Sequence, residues 1–231
     1  FAIEAGEAIT VSVDVANKAL TLTAENNNTE FTVSSTASIG EIKSTKITGD
    51  YVLILPARPA GNFALEATGA LSVVALPTNS GETIQLKAAQ DLVVVEAINV
   101  GAAGAVNLTS MSGGIALGGK ITANSLALTS NDSVSVTSQV ANLSATIAGD
   151  GDLSVTQTGN LTISNLAMNG GDLLLNVDGD VTITNFTGNA GNVTINATGK
   201  VTFVNAGAEV ASMAVVSCGT VSGATNTNRL S

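Results

Sequence analysis

The chain has 231 residues and a net charge of −10, with eight basic residues and no His; that balance excludes the clustered Lys and Arg that nucleic acids and anionic membrane surfaces require. Hydrophobic residues make up 45% but include no Trp, one Tyr and five Phe, so a core has to be built from Val, Leu, Ile and Ala. With charged residues at 11% the surface has to be Thr, Ser and Asn, and Val, Ile and Thr together favour a pleated, half-buried β surface.

From the start, ITVSVDVANKALTLTAE alternates on both sides of Asn17-Lys18 and predicts a β-hairpin. EFTVSS and DYVLILPARP predict two more strands, and charged residues are denser here than downstream. Residues 1–68 are therefore expected to form either a cap on the downstream region or a small separate β module. No Lys- or Arg-led apolar leader stands at Phe1; the chain is read as a mature product whose signal has been removed, or as one that never carried one.

Beyond residue 69 the pieces shorten. GALSVVAL and QDLVVVEA start 21 residues apart, and GGIALGG, ANSLALTS, DSVSVTS and ANLSATI come next as short alternating runs between small turn residues. No run of about 18 apolar residues occurs, so no helical membrane span is expected.

From residue 151 the pattern becomes strict. Glycines at 151, 159, 171, 179, 191 and 199 are spaced 8, 12, 8, 12 and 8, which makes a 20-residue unit with two phrases in it. Leu153, Leu173, Val193 and Met213 align, as do Val155, Leu175, Ile195 and Val215. Leu161, Val181, Val201 and Val221 form a third column, Ile163, Ile183 and Phe203 a fourth, and Leu166, Phe186 and Ala206 suggest a third short side. Apolar, polar, apolar at period 2 is a strand with one buried face. Two or three such strands per 20 residues leave no room for a helix, so coils must stack as parallel strands about 4.8 Å apart. Gly before Asp or Asn recurs at the expected corners. Asn165, Asn185 and Asn205 are expected to form a structural amide ladder from coil to coil. Thr162, Thr182 and Thr202 are expected to point outward as a polar column.

The GNLTI, GDVTI and GNVTI phrases on this coil resemble the filamentous-haemagglutinin-type repeats of secreted bacterial adhesins, closely over 151–203 and more loosely over 69–231. The resemblance implies a right-handed parallel β-helix, exported across the envelope and used for adhesion or surface structure. The chain departs from the family in lacking an Asn-Pro-Asn-Gly type motif, and in a unit slightly longer than the family's. Intervals of 8 and 12 fit hexapeptide helices poorly, and the GGxGxD of Ca²⁺-binding nonapeptide repeats is absent.

Chemistry is scarce. Without His there is no Ser-His-Asp or Cys-His constellation, and the lone Cys218 can form neither an internal disulfide nor a Cys-rich metal site. The catalytic alternative is polysaccharide cleavage, which needs paired carboxylates or carboxylates holding Ca²⁺. Its candidates are the Asp152 and Asp172 column, and Asp178 and Asp180 around Gly179 with Lys200 one coil above. Because Asp interchanges with Asn160, Asn192 and Thr198 in these columns, the turn role is preferred. A second alternative is ice binding by a Thr-rich face, interrupted by Leu174 and Val204. Sequons at Asn107, Asn142, Asn160 and Asn192 follow from the richness in Asn and Thr.

The expectation is thus an all-β, right-handed parallel β-helix over 69–231 behind an N-terminal β region over 1–68. It is expected to be non-enzymatic, with no cofactor and no metal, secreted or at a bacterial cell surface. The function expected is that of an adhesin or structural fibre subunit, with self-association into oligomers or filaments and a glycan or cell-surface ligand. A C-terminal coil without an obvious polar cap motivates the end-to-end assembly.

Overall fold

The computed structural model describes residues 61–217 and 219–225, and before them the strands Ala2–Ala5, Ile9–Asp14, Ala19–Ala24, Thr29–Ser34, Glu41–Ile47 and Tyr51–Ile54. The protein is an all-β solenoid of about 8 coils of roughly 20 residues each. Cys218 and the Asn17-Lys18 connection lie outside the described residues. The strands flanking that connection, Ile9–Asp14 and Ala19–Ala24, pair antiparallel with Val11 opposite Leu22. Ala2–Ala5 pairs antiparallel with Thr29–Ser34. From there the pairing turns parallel: Thr29–Ser34 onto Tyr51–Ile54, and Tyr51–Ile54 onto Leu71–Ala75. Parallel pairing therefore continues across residue 69, with a register shift between Leu53 and Ile54.

One column runs through the whole stack. Tyr51, Leu71, Leu92, Ile115, Val134, Leu153, Leu173, Val193 and Met213 are successive register partners. After Leu71 the coils advance by 21, 23, 19 and 19 residues, then settle at 20 from Leu153 onward. The upstream period is blurred in sequence because turns gain or lose residues while the strands stay in register. The other predicted columns also form: Leu161, Val181, Val201 and Val221; Ile163, Ile183 and Phe203; Leu166, Phe186 and Ala206.

Burial alternates along each strand. In Leu173–Asp178 the first, third and fifth side chains are buried and the others are not. A strand has only two faces, so period 2 assigns every second residue to the interior. The interior is a single continuous core, in which Leu71, Ile84, Leu86, Leu92, Ile98, Leu108 and Phe186 are the largest fully buried side chains. Parallel sheets ordinarily need both faces covered; here the tube covers its inner face with itself and leaves Thr, Ser and Asn to water.

The cross-section changes partway along the stack. Residues 98–100 and 121–123 open the strands Ile98–Ser110 and Ile121–Ser130 in the two coils after residue 92, following turns at 95–97 and 118–120. In the next coil the partners of 121–123, residues 138–140, continue the strand begun at Val134 without that turn. One coil later the bend lies at Gly159, with φ +87°, and residues 161–163 turn onto another side. Val140 thereby lacks a strand neighbour on its far side, and Gln157, 2% exposed, takes that place. Its side-chain oxygen accepts from Val140 N at 3.2 Å, and its Nε2 donates to Val140 O at 2.8 Å. The Ser138 hydroxyl donates to the same amide oxygen at 2.7 Å. A side-chain amide thus pairs with a backbone peptide as the missing strand would, which resolves the cost of a buried polar group.

Near the other end, Glu82 is a buried carboxylate fixing the loop before Thr83–Ala88. It accepts from Gly61 N at 2.7 Å, from Asn79 N at 2.9 Å and from Asn79 Nδ2 at 2.9 Å.

Candidate functional surface

Outward positions alternate with inward ones, and the register fixes which outward side chains stand beside each other. Thr162, Thr182 and Thr202 are register partners, each half-buried on the outer surface between inward neighbours. Upstream the column continues as Ala105, Ser125 and Asn142, ending in Asn142 opposite Thr162. A second Thr column, Thr109, Thr129 and Thr146, stands nearby and escaped the sequence reading. Its signal was the Thr that closes NLTS, LALTS and SATI, hidden because that period is irregular.

Asn185 Nδ2 donates to Asn165 Oδ1 at 2.9 Å. Asn205 follows in backbone register with Asn185 and is exposed. Among the described residues no side-chain bond joins Asn185 to Asn205. A second amide ladder, Asn196 Nδ2 to Asn176 Oδ1 at 2.8 Å, was missed, although the two residues stand one coil apart in equivalent strands.

The corners account for the acidic residues. At the corner that opens the first phrase, Asp152 N donates to Ser133 Oγ at 2.9 Å, Asp172 N to Asp152 Oδ1 at 2.7 Å and Asn192 N to Asp172 Oδ1 at 2.7 Å. Ser212 Oγ then donates to Asn192 Oδ1 at 2.7 Å. At the other corner Asp180 N donates to Asn160 Oδ1 at 2.8 Å, and Lys200 N to Asp180 Oδ1 at 2.7 Å. Thr198 Oγ1 reaches Asp178 Oδ1 at 3.1 Å. The oxygens of Ser133, Asp152, Asn160, Asp172 and Asp180 each cap a backbone N–H one coil on, where the turn leaves a donor outside the strand ladder, while those of Asp178 and Asn192 accept from hydroxyls. Asp, Asn and Ser can all supply that oxygen, hence their interchange. The preceding Gly is required by the same contact. A Cβ on Gly191 would run into Asp172 Oδ1, and one on Gly199 into Asp180 Oδ1.

The Asp172 carboxyl is held below its ordinary value of 3.8, first by the Asn192 backbone N–H and second by the Asn192 side-chain amide. Both favour the charged acceptor. Asp152, Asp172, Asp178 and Asp180 are thus engaged in joining coils. Among the described residues no group of three or more His, Cys, Asp or Glu is placed to hold a metal ion.

Where Phe63–Ala67, Thr83–Ala88 and residues 105–110 stack, the outer surface is shallowly concave, with a volume of about 290 Å³. Glu66 and Lys87 face each other across one register step, with Lys87 Nζ 3.1 Å from Glu66 Oε1. Gln85, Asn107 and Thr109 complete the polar lining.

Comparison of the chain with protein-family models, curated proteins and solved structures gives no match.

Proposed function

We propose that this solenoid works by architecture and not by catalysis, as an adhesive or structural element outside a bacterial cell, of the filamentous-haemagglutinin kind. The observation that carries the reading is the division of labour among polar side chains. Corner carboxylates and amides are engaged by backbone N–H groups of the next coil, while the sides present columns of Thr, Ser and Asn in register. The repeat phrase and the scarcity of charge support the same reading. Contact with a glycan or another cell-surface ligand would run along the sides. Parallel strand edges are templates for strand addition, and through them copies would associate end to end.

The test combines microscopy with a binding assay. Purified protein is expected to form fibres in electron micrographs and to coat glycan-bearing surfaces, without releasing reducing or unsaturated sugars from them. Sugar release that is lost on Asp180→Ala would contradict the reading. A second reading, ice binding, draws on the two Thr columns, Thr162 to Thr202 and Thr109 to Thr146. Thermal hysteresis in dilute solution would establish it.

A further inference from the structure

We propose that the concave surface around Glu66, Gln85, Lys87, Asn107 and Thr109 is a subsite for one unit of a neutral polyhydroxylated ligand, a saccharide. The inference deepens the adhesive reading and rests on it.

The first ground is what these side chains do not do. In other coils two amide pairs close ladders, Asn165 with Asn185 and Asn176 with Asn196. Gln85, Asn107 and Thr109 have no side-chain hydrogen bond among the described residues. They are nevertheless held side by side: Gln85 is the register partner of Asn107, and Lys87 of Thr109. The column of amides is bounded by Ala64 on one side and Ala127 on the other. Two short side chains thus flank two longer ones, and Ala64 contributes to the hollow.

The second ground is charge. The hollow holds one carboxylate and one ammonium, paired at 3.1 Å with side chains 38% and 42% exposed. The pair cancels at a distance, so the site has no preference for an anion or a cation. At contact range it still offers a strong acceptor and a strong donor, and charge-assisted hydrogen bonds are about twice as strong as neutral ones. Amides supply both donors and acceptors, and the Thr hydroxyl does the same. A ligand that matches this mixture carries several groups that both donate and accept, and no net charge. Neutral sugars do so, whereas phosphates, uronates and basic peptides do not. The hollow, about 290 Å³, stands at the small end of the range for small-molecule sites, so it takes one sugar unit. Without an aromatic platform among the lining residues the affinity of one site is low, and adhesion would come from many weak contacts along a chain.

The test uses the full chain, ¹⁵N-labelled, titrated with neutral hexasaccharides of glucose, mannose and galactose and with a galacturonate hexamer. Saturable shifts at the amides of Gln85, Lys87 and Asn107 with a neutral hexamer are the expected result. Asn107→Leu and the double variant Glu66→Gln with Lys87→Met, each checked for native circular dichroism, should weaken that binding at least tenfold. Val204→Ala, an exposed apolar position outside the polar columns, should leave it unchanged. Tighter binding of the galacturonate, or shifts confined to other sides, would overturn the subsite. Equal binding by the Asn107→Leu variant would overturn it too while leaving adhesion intact. Failure of wild-type protein to bind any hexamer while still coating cells would likewise sink the subsite and spare the adhesive reading.

Discussion

Asp172 shows how one side chain links sequence to assembly. Its oxygen accepts the Asn192 backbone N–H, and it excludes a Cβ from Gly191, so Gly-Asx is one device and not two separate turn preferences. Because the folded carboxyl titrates below its ordinary value of 3.8, the stability it contributes is present above that value and is lost as pH falls through the lower, folded one. Acid unfolding followed by circular dichroism should therefore set in at higher pH for wild type than for Asp172→Asn, which keeps an acceptor oxygen and does not titrate. Identical acid limbs would show that Asp172 has no part in it. The glycines offer a sharper contrast. Gly171→Ala places a Cβ against the Gly151 carbonyl and should lose about 1–3 kcal/mol in urea unfolding. Gly159→Ala meets nothing within 4 Å and should lose only about 1 kcal/mol for its positive φ. Gln157→Leu should cost about 3 kcal/mol, since it leaves Val140 N–H and C=O without partners. Thr156→Val, exposed one residue away, should fall within about 0.5 kcal/mol of wild type.

Among strands, alternation made most inner faces legible. Val181 and Ile183, and Val193 and Ile195, follow it, whereas Leu174 is an apolar residue facing out and Phe186 turns inward after two successive outward residues, Thr184 and Asn185. Phe186, 1% exposed in the core, should cost about 3–5 kcal/mol on truncation to Ala. What escaped the sequence was what alternation does not encode. Asn107 and Thr109 on one strand read as ordinary outward letters, and only the register sets them against Gln85 and Lys87. Coils of 21, 23 and 19 residues hide this register, because their turns absorb the difference. Buried Gln157 and Glu82 broke the expected pattern for the same reason: each satisfies backbone groups at a place where the coil changes shape or a loop is tied down. Asn176 and Asn196 lay in the strict part of the repeat and were readable there, since the 20-residue step alone puts them together.

For the whole molecule, stacking makes stability a sum of coils and their nearest-neighbour contacts. Excising residues 173–192 joins the coil of Leu153 directly to that of Val193 and preserves every column. The shortened chain should keep its β circular dichroism and unfold cooperatively with a lower urea midpoint. Excising 173–182 alone breaks the register and should abolish cooperative unfolding. A rod built this way carries function only on its sides and ends, which is why the outward columns matter more than any single residue.

All of this depends on residues 20 apart standing side by side while sequence neighbours turn away. Pyrene excimer emission measures that directly. With Cys218 replaced by Ser, pyrenes attached at Thr182→Cys and Thr202→Cys should give strong excimer emission, because these positions are register partners on adjacent coils. Pyrenes at Thr182→Cys and Ser135→Cys, on different strand columns and different coils, should give monomer emission alone. Monomer emission from the first pair, in a protein with native circular dichroism, would contradict the stacked-coil account.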